Sequence, residues 1–138
     1  MDKWSDDKEL YEIIINSYER HRNTLKRIQK MPNVIDKTPE EIKAWRVSDE
    51  AYLIDVREDY EMLSGRIPDT DLHIPLSRFK YSEIPSGIEK KIVFVCAQGV
   101  RSFQAAQYLV DNELITDAYN LKDGIAGWLN SGLTIESK

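Results

Sequence analysis

Residues 92–102 read IVFVCAQGVRS, an apolar run that ends in a small, polar, glycine-containing turn with the only cysteine of the chain at the junction. With Lys91 in front, KIVFV is apolar at successive positions, as a parallel strand must be when helices cover both faces of its sheet. This predicts a central strand over 91–95. The run SFQAAQYLVDN (102–112), with Ala105, Ala106, Leu109 and Val110 on one face, predicts a helix directly after the turn. Cys96 then stands at the carboxyl end of a strand just ahead of a helix, where open α/β sheets bind ligands.

Outward from this strand the chain alternates strand-like and helix-like pieces. Val34-Ile35 is a short strand, and Thr38-Pro39-Glu40-Glu41 reads as N-cap, first-turn proline and acidic first turn of a helix to about Arg46. AYLIDV (51–56) is a strand, REDYEMLSG (57–65) a short helix stopped by Gly65, and DLHIPL (71–76) strand-like. SRFKYSEIPSG is irregular or briefly helical, DAYNL (117–121) is the last strand, and GIAGWLNSG (124–132) a final helix bounded by glycines. Such alternation argues for an α/β domain with a parallel sheet. Before Met31-Pro32-Asn33 the texture differs. SDDKELYEIIINSYERHRNTLKRIQK lacks Pro and Gly, begins acidic and ends basic, and predicts a helix from about residue 6 to 30 with the seam Leu10, Ile14, Tyr18, His21, Leu25, Ile28. The expected division is a helical extension over 1–31 and an α/β domain over 32–138.

Composition narrows the function classes. The 138 residues carry a net charge of −5, with 24 acidic and 19 basic side chains dispersed along the chain, which excludes the clustered Lys/Arg of a nucleic-acid footprint. The amino terminus, MDKWSDDKEL, lacks the basic-then-apolar order of a secretory signal, and no apolar run reaches membrane-spanning length, so a cytoplasmic protein without membrane contact is expected. One cysteine excludes an internal disulfide, and with two histidines it cannot build a thiolate–imidazole zinc site. Neither metal nor cofactor is expected. A free, reactive thiol is the remaining chemistry.

The turn suits such a thiol. Ala97, Gln98, Gly99 and Val100 leave room for successive amides to converge on one point, and the following helix adds its positive end. This nest would stabilise an anion at the sulfur and lower its pKa, with Arg101 closing the loop as a fixed cation. Taken alone, a cysteine at the end of an apolar strand is more often a small buried hydrophobe. Asp55 and Arg57, in DVR, have two readings: an N-cap with Glu58 as its box partner, or support for the site. His73 reads as a core residue, and Trp128 as packing.

Three ordered stretches carry a family resemblance. CAQGVRS resembles the C-x-x-G-x-R-S active-site loop of rhodanese-type sulfurtransferases. YLIDVREDYEMLSGRIPDTDLHIPLSRF (52–79) resembles the family's L-I-D-V-R-x-x-x-E-x-x-x-G-H-I-P…I-P segment, and NLKDGIAGW (120–128) its closing L-x-G-G-x-x-x-W pattern. The resemblance covers about residues 33 to 132. It implies a rhodanese-like, doubly wound α/β fold whose five-stranded parallel sheet is flanked by helices, here preceded by the long N-terminal helix. It also implies that Cys96 carries sulfane sulfur as a persulfide, that Arg101 and the loop residues Ala97, Gln98, Gly99, Val100 and Ser102 hold the anion, and that Asp55 and Arg57 support the site through hydrogen bonds and ion pairing. Arg66 stands where the family has His, which adds a cation among the supporting residues.

The partners implied are a small sulfur donor such as thiosulfate, or a persulfide-carrying protein, and a thiol acceptor. Gln98 and Val100 occupy positions where thiosulfate-preferring members often carry Lys or Arg, which weakens attraction for a dianion and favours a persulfide donor. Related phosphatases of the cell-cycle type place one more residue between Cys and Arg, so the narrower loop here favours a single sulfur over a tetrahedral phosphate. A non-catalytic module that docks a partner through the N-terminal helix is a further reading, against which the retained Cys96 and Arg101 argue. That helix either packs across the domain or forms a partner contact, for instance in a homodimer.

Overall fold

The computed structural model describes residues 34–137 together with Asn16. The helix expected over 6–30, its seam and the boundary at residue 31 lie outside the described residues.

Five strands form one sheet: β1 (Val34–Lys37), β2 (Ala51–Asp55), β3 (Leu72–His73), β4 (Lys91–Val95) and β5 (Ala118–Leu121). Every pairing is parallel, in the order β1-β5-β4-β2-β3, which places β4 in the middle. Three α-helices lie between them, α1 (Pro39–Val47), α2 (Asp59–Met62) and α3 (Val100–Asp111), and α4 (Gly124–Asn130) follows β5.

The side chains of β4 show why its sequence is apolar throughout. Val93 and Val95 pack with Ile42 of α1 and Ile125 and Trp128 of α4, whereas Phe94 and Cys96 pack with Ala105, Ala106, Leu109 and Val110 of α3. The strand is thus sandwiched, and alternation would have put polar groups into one of two cores. Helix α1 begins where its cap requires. Thr38 accepts from the Glu41 amide and Glu41 accepts from the Thr38 amide, both at 3.2 Å, a reciprocal cap contributing about 1 kcal/mol.

Three expectations are corrected. The stretch 71–76 pairs as a strand only at Leu72–His73: the Ile74 and Leu76 amides still donate to the Asp55 and Val56 carbonyls at 3.0 and 3.2 Å, but the chain turns after Pro75 into a 3-10 helix over Leu76–Arg78. Helix α2 is shorter than 57–65, since the Asp55 carboxylate takes the Arg57 amide at 2.9 Å and Glu58, in extended conformation, becomes the N-cap with Glu61 as its box partner. Asp55 is therefore not that cap. His73 is only half-buried: its Nε2 lies 2.7 Å from the Arg57 carbonyl oxygen, at the sheet edge rather than in the core. Trp128 is buried as packing, its indole N–H donating to the Thr134 carbonyl at 2.8 Å.

Candidate active site

The loop from Cys96 to Gly99 joins the end of β4 to α3, which starts at Val100, two residues earlier than its apolar face suggests. Gly99 makes the turn at φ +88°, and a Cβ there would lie 3.0 Å from the Asp123 nitrogen, so both conformation and space call for glycine. From the other side α4 grips the loop: the Ile125 and Ala126 amides donate to the carbonyls of Cys96 and Ala97 at 2.9 and 3.0 Å. Gly124, at φ +59°, allows this approach, for a Cβ there would fall 2.7 Å from the Ala97 carbonyl carbon.

Within this frame the sulfur is surrounded by donors. Cys96 Sγ accepts from the Gly99 amide at 3.1 Å and the Ser102 amide at 3.3 Å, and the Ser102 hydroxyl oxygen lies 3.2 Å away. Burial pushes the thiol up, and the backbone amides at Ser102, Gln98 and Gly99 pull it back down. The residue is 1% exposed, so burial and placement at the turn are not alternatives here. It faces a cleft of about 280 Å³ lined with Ala97, Gln98, Val100 and Arg101. A cleft of about 500 Å³ between the 84–92 and 113–117 segments lies at the opposite end of β4, away from Cys96.

Arg101 does not enter the cleft as a free cation. Its guanidinium makes two parallel hydrogen bonds to the Glu61 carboxylate, both at 2.7 Å, and this partner holds Glu61 at a pKa of about 2 and raises Arg101 further. Glu61 was not among the sequence candidates, although it occupies the E of the L-I-D-V-R-x-x-x-E pattern. Arg57 supports α2 beneath it, with Nε 3.1 Å from both Asp55 carboxylate oxygens and Nη2 donating to Asp55 and to the Gly65 carbonyl at 2.9 Å. The buried Asp55–Arg57 pair thus fastens the helix that carries Glu61. A second unforeseen residue is Asn120 of β5, buried and hydrogen-bonded to Ser102, Gly99 and Asp36. Arg66 is placed elsewhere: its backbone pairs with Glu136 at 2.8 Å, its Nε lies 3.6 Å from the Glu136 carboxylate, and no described contact joins it to the cysteine loop. Among the described residues no cluster of His, Cys, Asp and Glu could hold a metal ion.

A family model described as the rhodanese-like domain matches residues 38–131. The chain belongs to the rhodanese-like domain family. A protein of Allochromatium vinosum named "Sulfurtransferase" is 35% identical over 89 residues, 64% of this chain and 80% of that one. Among solved structures, the human single-domain sulfurtransferase TSTD1 superposes with a TM-score of 0.57 at 28% identity, covering 69% of this rhodanese-like chain and 95% of its own. A rhodanese-related protein of Thermoplasma volcanium gives a TM-score of 0.65 at 24% identity, over 75% of this chain and 99% of that one, a likeness of fold.

Proposed function

We propose that this chain is a rhodanese-type sulfurtransferase that carries sulfane sulfur on Cys96. The observation that supports it most is the sulfur itself, held by the Gly99 and Ser102 amides at the end of the central strand and facing a cleft. The named sulfurtransferase relatives point the same way. In the first step the Cys96 thiolate attacks the outer sulfur of a donor. The donor S–S bond breaks, its remainder leaves with the electron pair, and Cys96–S–S⁻ forms. In the second step an acceptor thiolate attacks that outer sulfur, and Cys96 leaves as thiolate. The loop amides, fixed before reaction, stabilise the negative sulfur in both states.

The donor proposed is a persulfide rather than thiosulfate. Gln98 and Val100 are uncharged, and the Arg101 charge is engaged by Glu61, so the cleft offers a dianion no unpaired cation among the residues that line it. Mass spectrometry after incubation with a persulfide donor should show a gain of about 32 Da, reversed by cyanide and absent in Cys96→Ser. A chain whose Cys96 is free and yet takes no sulfur from any donor would refute the reading.

A further inference from the structure

The Ser102 hydroxyl has one proton and two neighbours that could take it. Its oxygen lies 2.5 Å from Asn120 Oδ1 and 3.2 Å from Cys96 Sγ. Which of them receives it is decided one residue further on. Asn120 Nδ2 lies 2.9 Å from Asp36 Oδ1 and 2.9 Å from the Gly99 carbonyl oxygen. A carboxylate and a carbonyl are acceptors only, so both amide hydrogens are committed there and the amide cannot be turned round. Its oxygen then faces Ser102, and at 2.5 Å that contact requires a proton between the two oxygens, which only Ser102 can supply.

We propose that Asn120 is a positioning residue that takes the Ser102 hydroxyl proton and so leaves that hydroxyl facing Cys96 as an acceptor. The resting thiol then donates S–H to Ser102 Oγ, and the donors to a thiolate are the loop amides. The chain S–H to Oγ–H to Oδ1 ends on an amide oxygen, which does not take up a proton at neutral pH. On ionisation the Cys96 proton therefore leaves through the cleft, to water or to the base it meets there. The arrangement favours the protonated thiol at rest and restrains the ionisation that the amides promote. Among the described residues, the charged groups tied to this site are Arg101 from α3, already paired with Glu61 of α2, and Asp36 of β1, which connects to Ser102 through Asn120.

The inference concerns the ionisation of Cys96 whichever donor it meets. The pH profile of iodoacetamide alkylation reads it without sulfur transfer, so its failure and that of the proposed reaction are distinguishable. In Asn120→Ala the hydroxyl is free to turn onto the thiolate, and the alkylation midpoint should move down by about half to one pH unit, as a hydrogen bond of ordinary net strength would produce. The same substitution in a Ser102→Ala background should leave the midpoint where Ser102→Ala alone puts it. Ser102→Ala alone should not raise the midpoint, because it removes an acceptor of the thiol proton and no donor to the thiolate. A rise in Ser102→Ala would show that the hydroxyl already donates to sulfur and would overturn the proposal. So would an unmoved midpoint in Asn120→Ala that keeps the wild-type circular dichroism and melting behaviour. Should Asn120→Ala fail to fold, Ser102→Ala decides the question by itself.

Discussion

Arg101 lies on the wall of the cysteine cleft with its charge already answered by Glu61. That pairing separates holding the loop from attracting an anion, two roles a lone arginine would combine. It also identifies where a cation would change the chemistry. Val100 lines the same cleft, is 62% exposed and contributes nothing to either core cluster. Val100→Lys should raise kcat/KM for thiosulfate about 3- to 10-fold at low ionic strength, through KM more than kcat, and the gain should vanish near 1 M salt. A gain that persists in high salt would mean that the lysine acts by contact or by reshaping the loop rather than by steering a dianion.

At the scale of elements, the cysteine loop is held from two directions by pieces remote in sequence. Helix α2 grips Arg101 from one side, and the first turn of α4 clasps the Cys96 and Ala97 carbonyls from the other. The second contact has almost no clearance at Gly124. Gly124→Ala adds both a left-handed backbone for an L-residue and a methyl group against the Ala97 carbonyl, and should cost roughly 2–5 kcal/mol in denaturant unfolding. It should also lower the rate of persulfide formation, because relief of the clash moves the loop that positions the sulfur. Full stability with Ala at 124 would show that α4 does not clamp the loop.

For the whole molecule, the Glu61–Arg101 pair ties α2 to α3 across the carboxyl end of the sheet, and this makes stability sensitive to acid. Glu61 falls from its usual 4.5 to about 2 in the folded chain, chiefly through its hydrogen bonds to Arg101. A carboxylate depressed in this way adds stability that is complete above pH 4.5 and is lost as the pH falls toward 2. Both side chains are partly solvated, at 16% and 37% exposure, so the contribution is modest. Glu61→Gln should accordingly lower the melting temperature at pH 7 and have less effect at pH 2.5, the gap closing through that window. An equal loss at both pH values would assign the effect to packing.

Much of the architecture was legible because it rests on local physics. The unbroken apolarity of KIVFV required two covered faces, Thr38 to Glu41 spelled a capped helix start, and Cys96 followed by Gly99 marked the turn between strand and helix. Where the reading missed, the cause was local in two places and a distant partner in two others. The 71–76 stretch has strand-like side chains, but the chain turns after Pro75 into a 3-10 helix over Leu76–Arg78. DVR admits a cap, but a buried guanidinium claimed the Asp55 carboxylate. Glu61 reaches Arg101 over 40 positions and Asn120 reaches Asp36 over 84, and nothing in either local pattern states which carboxylate or amide arrives. By itself the sequence determined the strand that carries Cys96, the turn after it and the supply of amides, since these follow from side-chain pattern and backbone freedom within a dozen residues. Only the tertiary structure decided that Arg101 is neutralised and that Ser102 yields its proton to Asn120. A hydrogen bond is settled by which groups meet once the chain has folded, and those groups come from strands and helices the sequence keeps far apart.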